Sequence, residues 1–243
     1  MNRISDIVKS LIIVNVIVFI GTYVLKMNIS DSLALYYPTN PNFGYWQFLT
    51  HMFVHGGISH ILFNMYALWA FGTPLELMWG RNKFLFFYFS AGIGAGLIYT
   101  LANYIEFNNI YEQLVNIGLN TTEIQHILDT GTYSNNILES ISEKELFSFY
   151  STYHTPAVGA SGAIYGILVA FGIAFPDAKL ALIFFPVPIA AKYFIPLIIL
   201  SDLFFGLTSY SMGNIAHFAH IGGALIGFII AFYWKKNQFN RWN

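Results

Sequence analysis

Six apolar stretches, at about 7–25, 58–78, 84–102, 158–175, 189–207 and 215–234, divide the chain. Each is close to the ~20 residues a helix needs to cross the hydrocarbon core of a bilayer. Charged residues make up only 9% of the 243 and hydrophobic residues 56%, where soluble domains carry about 25% charged. A soluble domain of this length has too little interior to hide that much apolar sequence, so much of the surface belongs in lipid. The expected fold class is all-α: one membrane domain over 1–243, six transmembrane helices, with an extramembrane insert at 103–157 between the third and fourth. A net charge of -1 gives no electrostatic footprint for nucleic acid, and the absence of cysteine removes disulfides and thiolate chemistry. The first stretch reads as a retained helix rather than a signal peptide. It is long for a signal core, and Lys26, Met27 and Asn28 follow it without a small-residue cleavage pattern.

Six spans put both termini on one side. With that side in the cytoplasm, nine basic residues fall inside (Arg3, Lys9, Arg81, Lys83, Lys179, Lys192, Lys235, Lys236 and Arg241) and two outside (Lys26 and Lys144). This is a positive-inside distribution. The expected location is a plasma membrane, the inner membrane of a bacterium, with both termini cytoplasmic. In this orientation the second, fourth and sixth spans all run inward from the outer surface. Their first turns carry His60 and Asn64, Ser161, and His217 and His220. Polar and ionisable side chains are costly inside a membrane and point to function. Here three spans bring them to one depth.

Ser161 stands among small residues in Pro156-Ala157-Val158-Gly159-Ala160-Ser161-Gly162-Ala163. A serine at a helix start has an accessible hydroxyl, beside backbone N–H groups able to stabilise an oxyanion. Alone, a membrane serine is more often a packing residue. The hydrolase nucleophile elbow does not fit, because Ala163 stands where that motif needs glycine. A serine nucleophile needs a base, and His220 in Ala219-His220-Ile221-Gly222-Gly223 supplies an imidazole. Gly162 with Gly166, and Gly223 with Gly227, are small-xxx-small pairs that let two helices approach closely. Tyr165, one turn beyond Ser161, is placed to stack on His220, and Asn64 offers an uncharged amide donor four residues after His60.

These motifs resemble the rhomboid family. Gly159-Ala160-Ser161-Gly162 is similar to its nucleophile motif. Ala219-His220 with Gly223 and Gly227 resembles its A-H-x-x-G-x-x-x-G run, and His60-Ile61-Leu62-Phe63-Asn64 its second-helix motif. Glu76 and the earlier His51 and His55 also match family positions. The resemblance implies an intramembrane serine endopeptidase with Ser161 as nucleophile and His220 as general base and acid, without a third acidic member. It implies an oxyanion hole of Asn64, His60 and the Ser161 N–H, with Tyr165, Gly159 and Gly162 in support. It further implies single-pass transmembrane proteins as substrates and no cofactor.

Three features depart from the pattern. Trp46-Gln47 stands where many bacterial members have tryptophan–arginine, the 103–157 connection is long, and Asp202 lies in the outer half of the fifth span. Asp202 either orients His220 or faces water. His217, three residues before His220, is the competing base. Segment 26–57 reads as a partly embedded outer loop. The insert contains two helix starts, at Asn120 and Ser142, and is either surface decoration or an overhang of the site's mouth. A metal site would draw on His51/His55 or His217/His220, but no H-E-x-x-H motif is present. The alternative to an enzyme is an inactive relative that binds membrane clients; such relatives lose the serine or histidine, and both remain here.

Overall fold

The structure is a computed structural model that describes residues 4–27, 29–182, 185–208 and 217–239. Most of the 208–214 connection and the first two residues of the sixth apolar stretch lie outside these. Helix α1 (Asp6–Phe19) continues into a π-helical turn, Ile20–Val24. Helix α2 (Ile58–Ala67) passes through a second π turn, Leu68–Gly72, into α3 (Thr73–Trp79). The 58–78 stretch is thus one helical path with a local change of winding.

Helix α4 (Arg81–Asn116) is 36 residues long, well beyond the 84–102 expected. At 1.5 Å per residue it spans about 54 Å, more than a ~30 Å hydrocarbon core. Hydropathy marked only its apolar part. No proline or glycine interrupts the sequence from Leu97 to Asn116, so the helix runs on into the insert and stops near Gly118, whose φ is 96°. Helices α5 (Thr121–Thr130) and α6 (Glu143–His154) follow. Both begin with capping boxes, Asn120 with Glu123 and Ser142 with Glu145, where the sequence pattern expected them.

Helix α7 (Ser161–Ala174) starts three residues later than the apolar stretch, because Gly159 has φ +118° and no helix can include it. The next segment corrects the all-α expectation. Strands β1 (Lys179–Leu182) and β2 (Phe185–Ala190) form an antiparallel hairpin, with Lys179 opposite Ala190 and Leu180 opposite Ile189. Pro186 and Pro188 argue against a strand, but each strand of a lone pair has one free edge where a missing N–H costs nothing. Helices α8 (Ala191–Leu207) and α9 (His217–Phe239) complete the chain.

The protein is mostly helical and multi-pass. Among the described residues, three helices are long and apolar enough to cross a membrane: Asp6–Val24, Arg81–Asn116 and His217–Asn237. Large apolar side chains such as Ile17, Leu62, Leu101, Leu197 and Phe232 point outward, which is expected where the solvent is lipid. Small residues set the helix contacts within. A methyl added at Gly223 of α9 would lie 1.8 Å from the Gly162 carbonyl oxygen of α7, and one at Gly166 would lie 2.7 Å from the Ala91 Cβ of α4. Backbones this close gain dispersion contacts that a side chain would block.

Glu76 ties α3 to the start of α1. Its carboxylate, 7% exposed, accepts from Ser5 Oγ at 2.5 Å and from the Ile7 and Val8 N–H groups at 3.0 and 2.9 Å. These are orphan donors of the first turn of α1, where helix-dipole and carboxylate charges attract.

Candidate active site

The approach to Ser161 is built by pairing. Leu35 and Ala157 exchange backbone hydrogen bonds of 2.9 and 2.8 Å, and the Gly159 N–H donates to the His51 carbonyl at 2.9 Å. His51 is itself fixed, with Nδ1 2.7 Å from the Gln47 carbonyl. At Gly159 a Cβ would lie 2.7 Å from His60 Nε2. The left-handed φ and the adjacent ring together require glycine there. Ser161 is then the first residue of α7, behind an Ala160 N-cap that offers no side-chain acceptor. Its N–H therefore has no acceptor within its own helix.

Ser161 Oγ and His220 Nε2 are 2.9 Å apart. The glycine faces of α7 and α9 make this distance possible, since bulkier side chains would separate the two backbones. The Tyr165 ring lies parallel to the His220 imidazole, with centroids 4.1 Å apart at 8°. Gly162 packs against Ala95 and the Ala219 carbonyl. His60 reaches the same locus from α2, beneath Gly159 and beside Ser161. The Gly56 N–H points to His60 Nδ1 at a long 3.4 Å, an arrangement that favours the proton on Nε2. Asn64 is buried on the same face, and its amide N donates 2.8 Å back to the His60 carbonyl. The amide nitrogen carries a second N–H, which this bond leaves available to a ligand. Helices α2, α7 and α9 thus bring His60, Ser161, Tyr165 and His220 together.

Two further residues have partners that the sequence left open. Asp202, for which exposure to water was one reading, is only 8% exposed. Its Oδ1 lies 2.6 Å from His217 Nδ1 and 3.4 Å from His220 Nδ1, and its Oδ2 accepts the Tyr165 hydroxyl. The available signal was an acid within an apolar run, which is costly unless partnered. Gln47 is fully buried. Its amide donates to the Asn42 carbonyl at 2.7 Å and accepts the Tyr36 N–H at 3.2 Å. It pins the 36–47 segment with neutral hydrogen bonds at the position where the resemblance led to expecting an arginine. The neighbouring Trp46 Nε1 donates to the Ser32 carbonyl at 2.7 Å. Among the described residues, no three His, Asp or Glu side chains are placed to hold a metal ion.

The family model described as the rhomboid domain matches residues 42–106 and 131–237, leaving out only part of the insert between them. Rhomboid protein 1, mitochondrial, of Saccharomyces cerevisiae is 27% identical over 186 residues, covering 76% of this chain and 40% of that protein. Rhomboid protease GluP of Bacillus subtilis is 29% identical over 188 residues, covering 77% and 25%. The human presenilin-associated rhomboid-like protein, mitochondrial, is 26% identical over 248 residues, covering 98% and 52%. The chain spans between a quarter and about half the length of these relatives. The matched residues take in every side chain of the cluster just described, and the chain belongs to the rhomboid family.

Proposed function

We propose that this chain is an intramembrane serine endopeptidase that cuts transmembrane proteins in or near their membrane segment. The observation that carries the reading is the 2.9 Å contact between Ser161 Oγ and His220 Nε2 at the start of a membrane helix. His220 removes the hydroxyl proton as Oγ attacks the scissile carbonyl carbon. The oxyanion is held by the Ser161 N–H at the α7 terminus, by His60 Nε2–H and by the second N–H of the Asn64 amide. Collapse of the tetrahedral species breaks the C–N bond, and His220 returns the proton to the leaving amine. Water, activated by the same imidazole, then hydrolyses the acyl-enzyme. None of these steps calls for a cofactor.

The proposed topology is six spans with both termini on one side, the side richer in basic residues by nine to two. Residues 103–157 are then an extramembrane insert. Water reaches the site from the outer side. A cleft of about 240 Å³ lined by Thr22, Ser30, Asp31, His55, Pro156 and Val158 flanks the segment leading to Ser161. The relatives include mitochondrial proteins as well as a bacterial one, so the proposal is a membrane location without a named compartment, not the bacterial inner membrane expected from sequence.

The test is cleavage of a single-pass transmembrane substrate by the full chain in proteoliposomes. Wild type cuts; Ser161→Ala and His220→Ala reduce cutting to background while keeping their melting temperatures. Intact substrate that co-purifies with wild type uncut would instead identify a client-binding relative and overturn the reading.

A further inference from the structure

The motif resemblance implies a serine–histidine pair acting alone, yet a carboxylate stands behind the imidazole. Asp202 reaches it from α8, is buried, and faces three titratable groups among the described residues: Tyr165 from α7, and His217 and His220 from α9. His220 in turn faces Ser161, Tyr165, Asp202 and, across Gly159, His60. An ionised carboxylate only accepts hydrogen bonds. Each imidazole nitrogen turned toward Asp202 is therefore favoured in its N–H form. For His220 that nitrogen is Nδ1, which leaves the Nε2 lone pair facing Ser161 Oγ. The tautomer that a general base requires is the one this carboxylate selects.

Asp202 also holds the ring from a second direction. Its other oxygen accepts the hydroxyl of Tyr165, the residue whose ring lies flat on His220. One carboxylate thus fixes both the edge and the face of the imidazole. We infer that Asp202 is a positioning residue for His220, a third and acidic member of the site that His220 shares with His217. This rests on the reading of Ser161 and His220 as nucleophile and base. The sharing sets the size of the effect. His217 is the nearer partner at 2.6 Å and His220 the farther at 3.4 Å, so the contribution falls below the ~10⁴-fold loss that follows from removing the carboxylate in a chymotrypsin-type triad.

The test is the rate of fluorophosphonate labelling of Ser161 against pH, with the full chain in proteoliposomes. This readout needs no natural substrate. Asp202→Asn is expected to lower the plateau rate roughly 10- to 100-fold and to move the midpoint of the acid limb to lower pH, because the imidazolium loses a neighbouring negative charge. Asp202→Glu is expected to recover part of both. Folded Asp202→Asn with wild-type rate and midpoint overturns the inference. If Asp202→Asn does not fold, His217→Ala decides. Freed of its nearer partner, Asp202 then serves His220 alone, so labelling stays within a few-fold and the midpoint moves to higher pH; an unmoved midpoint overturns the inference. Wild type that takes no label removes the nucleophile–base reading itself. Labelling that is lost in His220→Ala but unchanged in Asp202→Asn strikes Asp202 alone.

Discussion

The helical bundle and the 103–157 region are built from the same backbone element by different means. In the bundle, glycines make the closest helix contacts, at Gly162, Gly166 and Gly223, and large apolar residues lie both inside, as Phe84, Phe87 and Tyr88 do, and outside, as Leu62, Leu197 and Phe232 do. In the insert, large apolar residues face inward: Ile124, Ile127, Leu146 and Phe149 pack with Phe107 and Leu114 of the α4 extension. Its outward residues on α5 include Thr122, Glu123, Gln125, His126 and Asp129. Helix ends differ as well. Asn120 and Ser142 cap α5 and α6 from within their own first turns, whereas α1 is capped by a carboxylate some 70 residues away. On the proposed topology the difference follows from the solvent. In water, burial of large side chains drives packing and local caps compete with hydration. In lipid, burial of an apolar side chain gains little, so close backbone approach and long-range satisfaction of polar groups carry the fold.

Substitutions can break this contrast at either end. The largest effect is expected at Gly223. Gly223→Val drives a branched side chain into the Gly162 carbonyl and should abolish both the folded bundle and Ser161 labelling, read by thermal denaturation in detergent. A native-like melt would mean that the bundle tolerates side chains at its closest contact. Next, Glu76→Ala leaves the Ser5, Ile7 and Val8 donors without their acceptor and should cost about 2–3 kcal/mol of stability. A cost under ~0.5 kcal/mol would show that the long-range cap matters little. Within the insert, Asn120→Ala should cost about 1 kcal/mol, seen as faster amide exchange over 121–130 with the bundle unaffected. Equal loosening of α7 and α9 would show the two regions to be one cooperative unit.

The smallest effect is a pH dependence confined to α6. The Ser142 hydroxyl and N–H hold the Glu145 carboxyl below its ordinary value. A depressed carboxyl stabilises the helix fully above the ordinary value near 4.5, and that stabilisation fades as pH falls through the depressed value. Amide protection in α6 should weaken in that acid window, and Ser142→Ala, which keeps only the backbone N–H, should shrink the dependence.

Much of this was legible in the sequence because it depends on local pattern. The capping boxes at Asn120 and Ser142, the apolar stretches and the glycine pairs are short-range signals with defined spacing. The meeting of Ser161, His220 and Tyr165 followed from span direction plus those glycine faces. What escaped depended on partners far along the chain. Nothing near Asp202 says that His217 and Tyr165 turn toward it. Nothing near Gln47 says that the carbonyl of Asn42 and the N–H of Tyr36 will enclose it. The α4 extension escaped because hydropathy reports where a helix is apolar rather than where it ends, and the hairpin because two prolines disguised an edge.

The central claim is that a hydroxyl at the start of α7 is made nucleophilic by an imidazole from α9, with oxyanion donors beside it. A crystal structure of the fluorophosphonate-treated chain tests it most directly. The account predicts phosphorus bonded to Ser161 Oγ, with a phosphonyl oxygen within about 3.2 Å of the Ser161 N–H and of His60 or Asn64. Phosphorus on another residue, or an oxygen turned away from all three donors, would contradict it.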